Sequence, residues 1–436
     1  MRALALLAAV VAAALIPHAP LGIDVPIVAA IVAVAVAGSA PRSLDSMLFG
    51  SLALAFAGMS AWLDARWVVV LDLAAAWLLA TIAVAGARLL SPLAPVRALG
   101  GAPALAPSPP ENWIPAARGA LLGSLLVIPF GALFWSADAA FAQIGGSAPW
   151  PSLSLLPGRV VVFVLVLLAA LGLALAARKV FSDPVFPAGP KLDRTEWAIP
   201  LLLLDVLFLA FVVVQATVLF GGRRHVLETA GLTYSEYARQ GFWQLIVVAA
   251  LALGVIAGAL RLAAVRHAAD GLLLRALIGV LCLLTLVIVA SAVHRLHVYE
   301  DAFGLTRERL AAETLALGLA GFFVLVLLAG LLPVVQSSFG RIAIAGSAAG
   351  LLAFSLSNPD GRIASRNVDR WRTTGDLDVA YVQSLSADAV PALAQLPDPL
   401  RDRVLAPFQS RLAKDDPWSS ANRSRHRARA VLQDSG

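Results

Sequence analysis

The sequence predicts an all-α fold: a polytopic transmembrane helical bundle of about 11 spans (range about 10–12), followed by a small C-terminal α-helical extramembrane domain. Three observations carry that expectation. Of the 436 residues, 60% are hydrophobic and 14% are charged, whereas an ordinary soluble chain has roughly 45–50% and about 25%. The apolar residues lie in blocks of about 17–25, enough to cross ~30 Å of hydrocarbon. The blocks also lack two-residue alternation, so they suit helices and not barrel strands.

The blocks fall near 3–17, 23–39, 46–63, 67–90, 115–136, 159–178, 197–221, 241–262, 272–294, 309–335 and 341–357. The first two are short and join around Pro17, His18 and Pro20, so a tilted hairpin or a re-entrant pair is open beside two full spans. "MRALALLAAVVAAALIP" has the basic start and apolar core of a signal peptide; the lack of a small-x-small cleavage site favours a retained first helix.

Composition divides the chain into four parts. Residues 1–90 hold about four N-terminal spans. Residues 91–114 form a linker rich in Pro, Gly and Ala, which disfavour a continuous helix. Residues 115–357 are the core bundle of about seven spans. Residues 358–436 turn charged and contain no run of spanning length, so a water-exposed domain of about three or four short helices is expected. Leu400, Val404, Phe408 and Leu412 share one helical face there, and Asp388 is placed to cap a helix through "AVPALAQL".

Arg and Lys concentrate in alternate loops, among them Arg42, Arg178, Lys179, Lys191, Arg266 and Arg341. That bias puts the N-terminus in the cytoplasm, and an odd span number then puts the C-terminal domain outside it. The formal charge of +6 belongs to the same scattered residues, so membrane orientation explains it better than nucleic acid, which is not expected as a partner. The single cysteine, Cys282, lies inside an apolar run, which excludes a disulfide framework or a Cys-based metal site within one chain.

No HExxH, GxSxG, phosphate loop or Gly-rich dinucleotide turn is present, so the commonest readable catalytic machines have no support and no cofactor is expected. Gly119/Gly123, Gly254/Gly258 and Gly346/Gly350 keep GxxxG spacing, best explained by close helix packing. Asp205 and Gln215 interrupt an apolar run and should face protein or water, as inter-helix hydrogen-bonding groups or as the lining of an ion or substrate path. His294 and His297, with Glu300 and Asp301 just beyond, suggest ligands; no second His-rich cluster completes a site, and no metal is expected. Arg423, Arg425, His426, Arg427 and Arg429 form a basic run that suits a solvated face, with an anionic lipid or envelope polymer as the sharper alternative.

The segments "LFLAFVVVQATVLFGG", "GLTYSEYARQGFWQL", "HRLHVYEDAFGLTRERL", "SADAAFA", "NPDGRIASRNVDRW" and "LDVAYVQSLSADAVPAL" resemble an uncharacterised family of bacterial multi-pass membrane proteins. It is the DUF four-one-seven-three type, close to four-one-five-three, and the likeness covers Ala116 to Leu396. The resemblance implies an integral membrane fold and a bacterial source; it supplies no activity, catalytic residue or substrate. Its matching positions include Asp138, Gln215, Tyr234, Glu236, Tyr237, Arg239, Arg295, Tyr299, Thr306, Arg307, Asn358, Asp360, Asn367, Asp388 and Pro391; Asp205 stands where Asn is expected.

The charge-derived topology collects Asp138, Tyr234, Glu236, Tyr237, Arg239, Arg295, Tyr299, Thr306, Arg307 and the C-terminal domain on one side. These side chains offer donors, acceptors and stacking planes for a polar partner; alternatively they only dock the C-terminal domain. Three function classes follow. A non-catalytic envelope scaffold or regulatory, sensor-like partner, in contact with membrane lipids and an envelope protein or polymer, leads because no catalytic constellation is visible. A transporter of a small or lipid-linked substrate would use Asp205 or Gln215. A membrane-embedded enzyme acting on envelope lipid or polymer would need an outer-facing acid such as Asp138 or Glu236.

Overall fold

The computed structural model describes residues 7–8, 10–12, 20–37, 43–85, 194–220 and 234–434, with the backbone alone at 85, 195–196, 210, 214–220, 234–244 and 247. Every regular element among them is helical. The expected blocks 115–136 and 159–178, and the linker, lie outside the described residues.

The helices are α1 (Asp24–Ala37), α2 (Leu44–Trp62), α3 (Arg66–Ala85), α4 (Arg194–Phe220), α5 (Tyr234–Leu262), α6 (Ala268–Phe303) and α7 (Arg307–Leu331). They continue as α8 (Pro333–Ser337), α9 (Phe339–Leu356), α10 (Pro359–Thr374), α11 (Val379–Gln383), α12 (Val390–Leu393), α13 (Leu400–Leu412) and α14 (Arg423–Asp434). By length and composition α2, α3, α6, α7 and α9 can each cross a membrane. The protein is thus an α-helical membrane protein with five such helices among the described residues; α1, with 14 residues, falls short of the ~20 a perpendicular span needs.

The chain forms two compact units. The first comprises Met1–Pro184, Ser386–Asp388 and Ala406–Gly436. In it α2 packs along α3 and against α1, burying Phe49, Phe56, Val68 and Ile82. Helix α2 starts where Ser43 Oγ accepts the amide of Ser46, an N-cap that satisfies one of the orphan amides of the first turn. It ends as Leu63 turns extended.

The second unit comprises Val185–Leu385 and Ala389–Leu405. Helix α6 is its centre and packs against α4, α5 and α7; Leu201, Phe208, Ile256, Leu281, Ile288 and Phe323 are among the residues buried together. Asp270 shapes the approach to α6 by accepting the amides of Arg266 and His267 at 3.3 and 3.1 Å. The far end stops at Gly304, with φ +79°, a conformation open chiefly to glycine.

Helix α10 shows how sequence selects a face. Asp360, Ile363, Ala364, Asn367 and Val368 are its buried positions after Pro359, a stripe with the i, i+3, i+4, i+7 spacing of an amphipathic helix. The Asn358 side chain caps its start by accepting the Gly361 amide at 3.2 Å, and Gly375, left-handed at φ +76°, ends it. That stripe turns towards α12 and the start of α7.

Candidate functional site

The turn between α6 and α7 is built for connection. Gly304 closes one helix, and Thr306 opens the next by accepting the Arg309 amide on Oγ1 at 3.4 Å. Close contact continues at Gly304, where a Cβ would run into the Asn367 side-chain oxygen. Asn367 donates from Nδ2 to the carbonyls of Leu305 and Ile363, both at 2.8 Å. Arg370 donates to the carbonyls of Asp301 and Ala302 at 3.3 and 2.7 Å, satisfying acceptors that the end of α6 leaves open.

Arg307 lies at the centre of this turn. Its Nε donates to Asp360 Oδ1 at 2.9 Å and its Nη2 to Asp360 Oδ2 at 2.5 Å. The Asp360 side chain is fully buried, while that of Arg307 is 32% exposed. The backbone amide of Arg307 donates to the Tyr381 hydroxyl at 2.7 Å. Burial raises the Tyr381 hydroxyl pKa above its ordinary value, against the opposing pull of the Arg307 amide and charge. A planar two-point pair of this kind is the strong form of ion pair, and it also fixes orientation. Beside it Arg309 lies over the Tyr299 ring, 4.3 Å from the centroid, and donates to the Gly304 carbonyl.

A second polar cluster lies within the first unit. Arg425, only 4% exposed, donates from Nη1 to Asp64 Oδ1 at 2.7 Å and from Nε to Asp416 Oδ2 at 2.8 Å. Its Nη2 reaches the carbonyls of Leu21 and Ser420 at 3.2 and 2.5 Å. Asn422 caps α14 by accepting the Arg425 amide, and it donates to the carbonyls of Ser60 and Leu63 at the end of α2. Burial alone would raise the Asp416 carboxyl, but Arg429 and Arg425 outweigh it and hold the pKa below its ordinary value. Arg425 is pushed up: its two carboxylates overcome the desolvation that opposes its charge.

Asp388 belongs to this cluster. It accepts the Asp64 amide at 2.9 Å and the Ser386 and Ser424 hydroxyls at 2.7 and 2.5 Å. It therefore ties segments together and does not cap the helix that follows it. Burial raises its pKa, opposed by the two serine hydroxyls. The basic run of the tail is correspondingly divided: Arg423 and Arg427 are exposed, whereas Arg425 is buried.

Tyr299, Thr306 and Arg307 lie at the α6–α7 turn, whereas Arg295 stands further back along α6. Tyr234, Glu236, Tyr237 and Arg239 fall in the first two turns of α5, where the backbone alone is described; Gln215 is likewise placed only by backbone, and Asp138 lies outside the described residues. Asp205 is 6% exposed on α4, with no hydrogen-bond donor to either carboxylate oxygen among the described residues. Sequence reading missed Asp64, Asp416 and Glu313. Glu313 meets His297, Nε2 to Oε1 at 2.9 Å, on the face that also carries Glu300. Asp64 had one readable signal, an acid in a three-residue gap between two spans.

A family model described as a domain of unknown function, DUF4153, matches residues 3–396. Its number is the second of the two that the sequence motifs suggested. No curated protein and no solved structure matches the chain.

Proposed function

The chain belongs to the DUF4153 family, a domain of unknown function, and on that premise we propose that it is a non-catalytic component of a bacterial cell envelope, a scaffold or a sensor-like regulatory partner. The observation that carries this reading is how Arg307 and Arg425 are used. Each is engaged by carboxylates and carbonyls of its own unit, the arrangement of a structural clamp.

In this reading about eleven helices span the cytoplasmic membrane. The N-terminus is cytoplasmic, and residues 358–436 form an extracytoplasmic helical domain whose exposed face meets an envelope protein or polymer. The Arg and Lys bias between the apolar blocks supports that orientation. The amphipathic stripe of α10 supports an extramembrane place for the segment that follows the last apolar helix.

A second reading, a transporter, is favoured by Asp205. A carboxyl buried among apolar helices, with no donor among the described residues, is costly unless it takes up a proton or a cation. Complementation of a deletion in the organism of origin separates the two. The scaffold reading expects Asp205→Asn and Gln215→Ala to complement fully, and Arg307→Ala to fail. Loss of complementation by Asp205→Asn, with the variant present in the membrane at the wild-type level, would favour transport.

A further inference from the structure

The apolar part of α6 ends at Val293, and ten further residues continue the helix to Phe303, roughly 15 Å at 1.5 Å per residue. That extension presents polar side chains beyond the apolar run. His297 and Glu300, three residues apart, lie on one face of it. The tight turn through Gly304 brings α7 back alongside, and Glu313 of α7 reaches the same place. His297 Nε2 lies 2.9 Å from Glu313 Oε1, and one ligand atom from each of the three residues lies within 4.8 Å of the others.

We propose that His297, Glu300 and Glu313 form a binding site for a divalent transition-metal ion of the zinc class. Two carboxylates facing one imidazole repel each other unless a proton or a cation stands between them, and a dication balances the pair when the histidine is neutral. Imidazole nitrogen with carboxylate oxygen suits zinc and its first-row neighbours. Bonds of about 2.0–2.2 Å put adjacent tetrahedral ligands roughly 3.5 Å apart, a spacing that modest side-chain rotation reaches here.

Glu300 Oε1 strengthens the assignment, because it is buried with no hydrogen-bond partner among the described residues. The His297 side chain is 49% exposed, which leaves a route for the ion and room for water as further ligands. Arg366 and Arg309 both act on Glu300 by charge; Arg366 is exposed, and Arg309 is committed to the Tyr299 ring and the Gly304 carbonyl. The site stands independently of the scaffold reading.

Equilibrium dialysis of the purified full-length protein in lipid nanodiscs against Zn²⁺, followed by metal analysis, tests it. The expected result is about one ion per chain, with affinity at least about tenfold weaker in Glu300→Gln, Glu313→Gln and His297→Ala, and unchanged in His294→Ala. Glu300→Gln is the decisive variant, since Oε1 holds no hydrogen bond whose loss would unfold the turn. Its metal-free thermal midpoint should match the parent, and Zn²⁺ should raise the parent's midpoint alone. No uptake by the parent, or equal uptake by Glu300→Gln, overturns the proposal.

Discussion

Asp360, at the first turn of α10 and without solvent exposure, receives both Nε and Nη2 of Arg307, at 2.9 and 2.5 Å. The pair joins two segments 53 residues apart in the chain. One opens a membrane-length helix, and the other starts the polar C-terminal region.

The corresponding clamp in the first unit is Arg425. Arg425→Ala takes the guanidinium from Asp64, which keeps the Ala387 amide, and leaves Asp416 with Arg429 alone, so it should cost about 1.5–3 kcal/mol, the range for hydrogen bonds to charged groups. Arg425→Lys should fall between, because an ammonium cannot reproduce a fork that serves two carboxylates and two carbonyls. Thermal unfolding in detergent, with proteolytic cleavage beyond Leu412 as a local readout, checks both.

Acid should weaken the same clamp. Asp416 has a folded-state pKa below its ordinary value, so its contribution is fully present above the unfolded pKa, about 3.9, and is lost as pH falls through the folded one. Asp388 runs the opposite way: its pKa is raised, folding favours its protonated form, and its contribution declines as pH rises through the raised value. Asp416→Asn should therefore flatten the acid limb of thermal stability below about pH 4, and Asp388→Asn should leave that limb in place.

Gly304→Ala should destabilise by about 1–3 kcal/mol from backbone strain at φ +79°. It should lose more from collision with Asn367. Adding Asn367→Ala removes the collision and keeps the strain, so the two losses should be less than additive. A double-mutant cycle on thermal midpoints measures the coupling.

The proposed orientation puts the region after Asn358 outside the cytoplasm. A reporter active only in the periplasm should work when fused there, and one active only in the cytoplasm should be silent. The reverse pattern would invert the topology while leaving the clamps untouched.

Much of the helical architecture was legible because long apolar runs admit few other folds. The blocks at 46–63, 67–90, 272–294, 309–335 and 341–357 became α2, α3, α6, α7 and α9, shifted mainly at their ends. Polar extensions caused the largest shift: α6 runs on through His294 to Phe303 because helix hydrogen bonds do not stop where hydrophobicity does. The segments bearing Arg307 and Asp360 were also legible, as polar stretches at the ends of apolar blocks, and that of Asp388 as part of the polar C-terminal region. Their partners were not. Asp64 with Arg425 is a relation across 361 positions, and Glu313 sits inside the block that opens with Arg309. Arg425 looked like one member of a solvated run, because local composition cannot tell which residue of a basic helix meets an acid distant in sequence.

The most direct test of the clamp account is hydrogen–deuterium exchange across α10 in full-length wild type, Arg307→Ala and the apolar pair Arg307→Met/Asp360→Leu. Removing Arg307 alone takes the two-point cation from a buried carboxylate, and replacing both partners removes that carboxylate as well. The account predicts that Arg307→Ala accelerates exchange in Pro359–Thr374 on the order of a hundredfold, with the apolar pair restoring most of the protection. Exchange in α10 that is the same in Arg307→Ala as in wild type would contradict it.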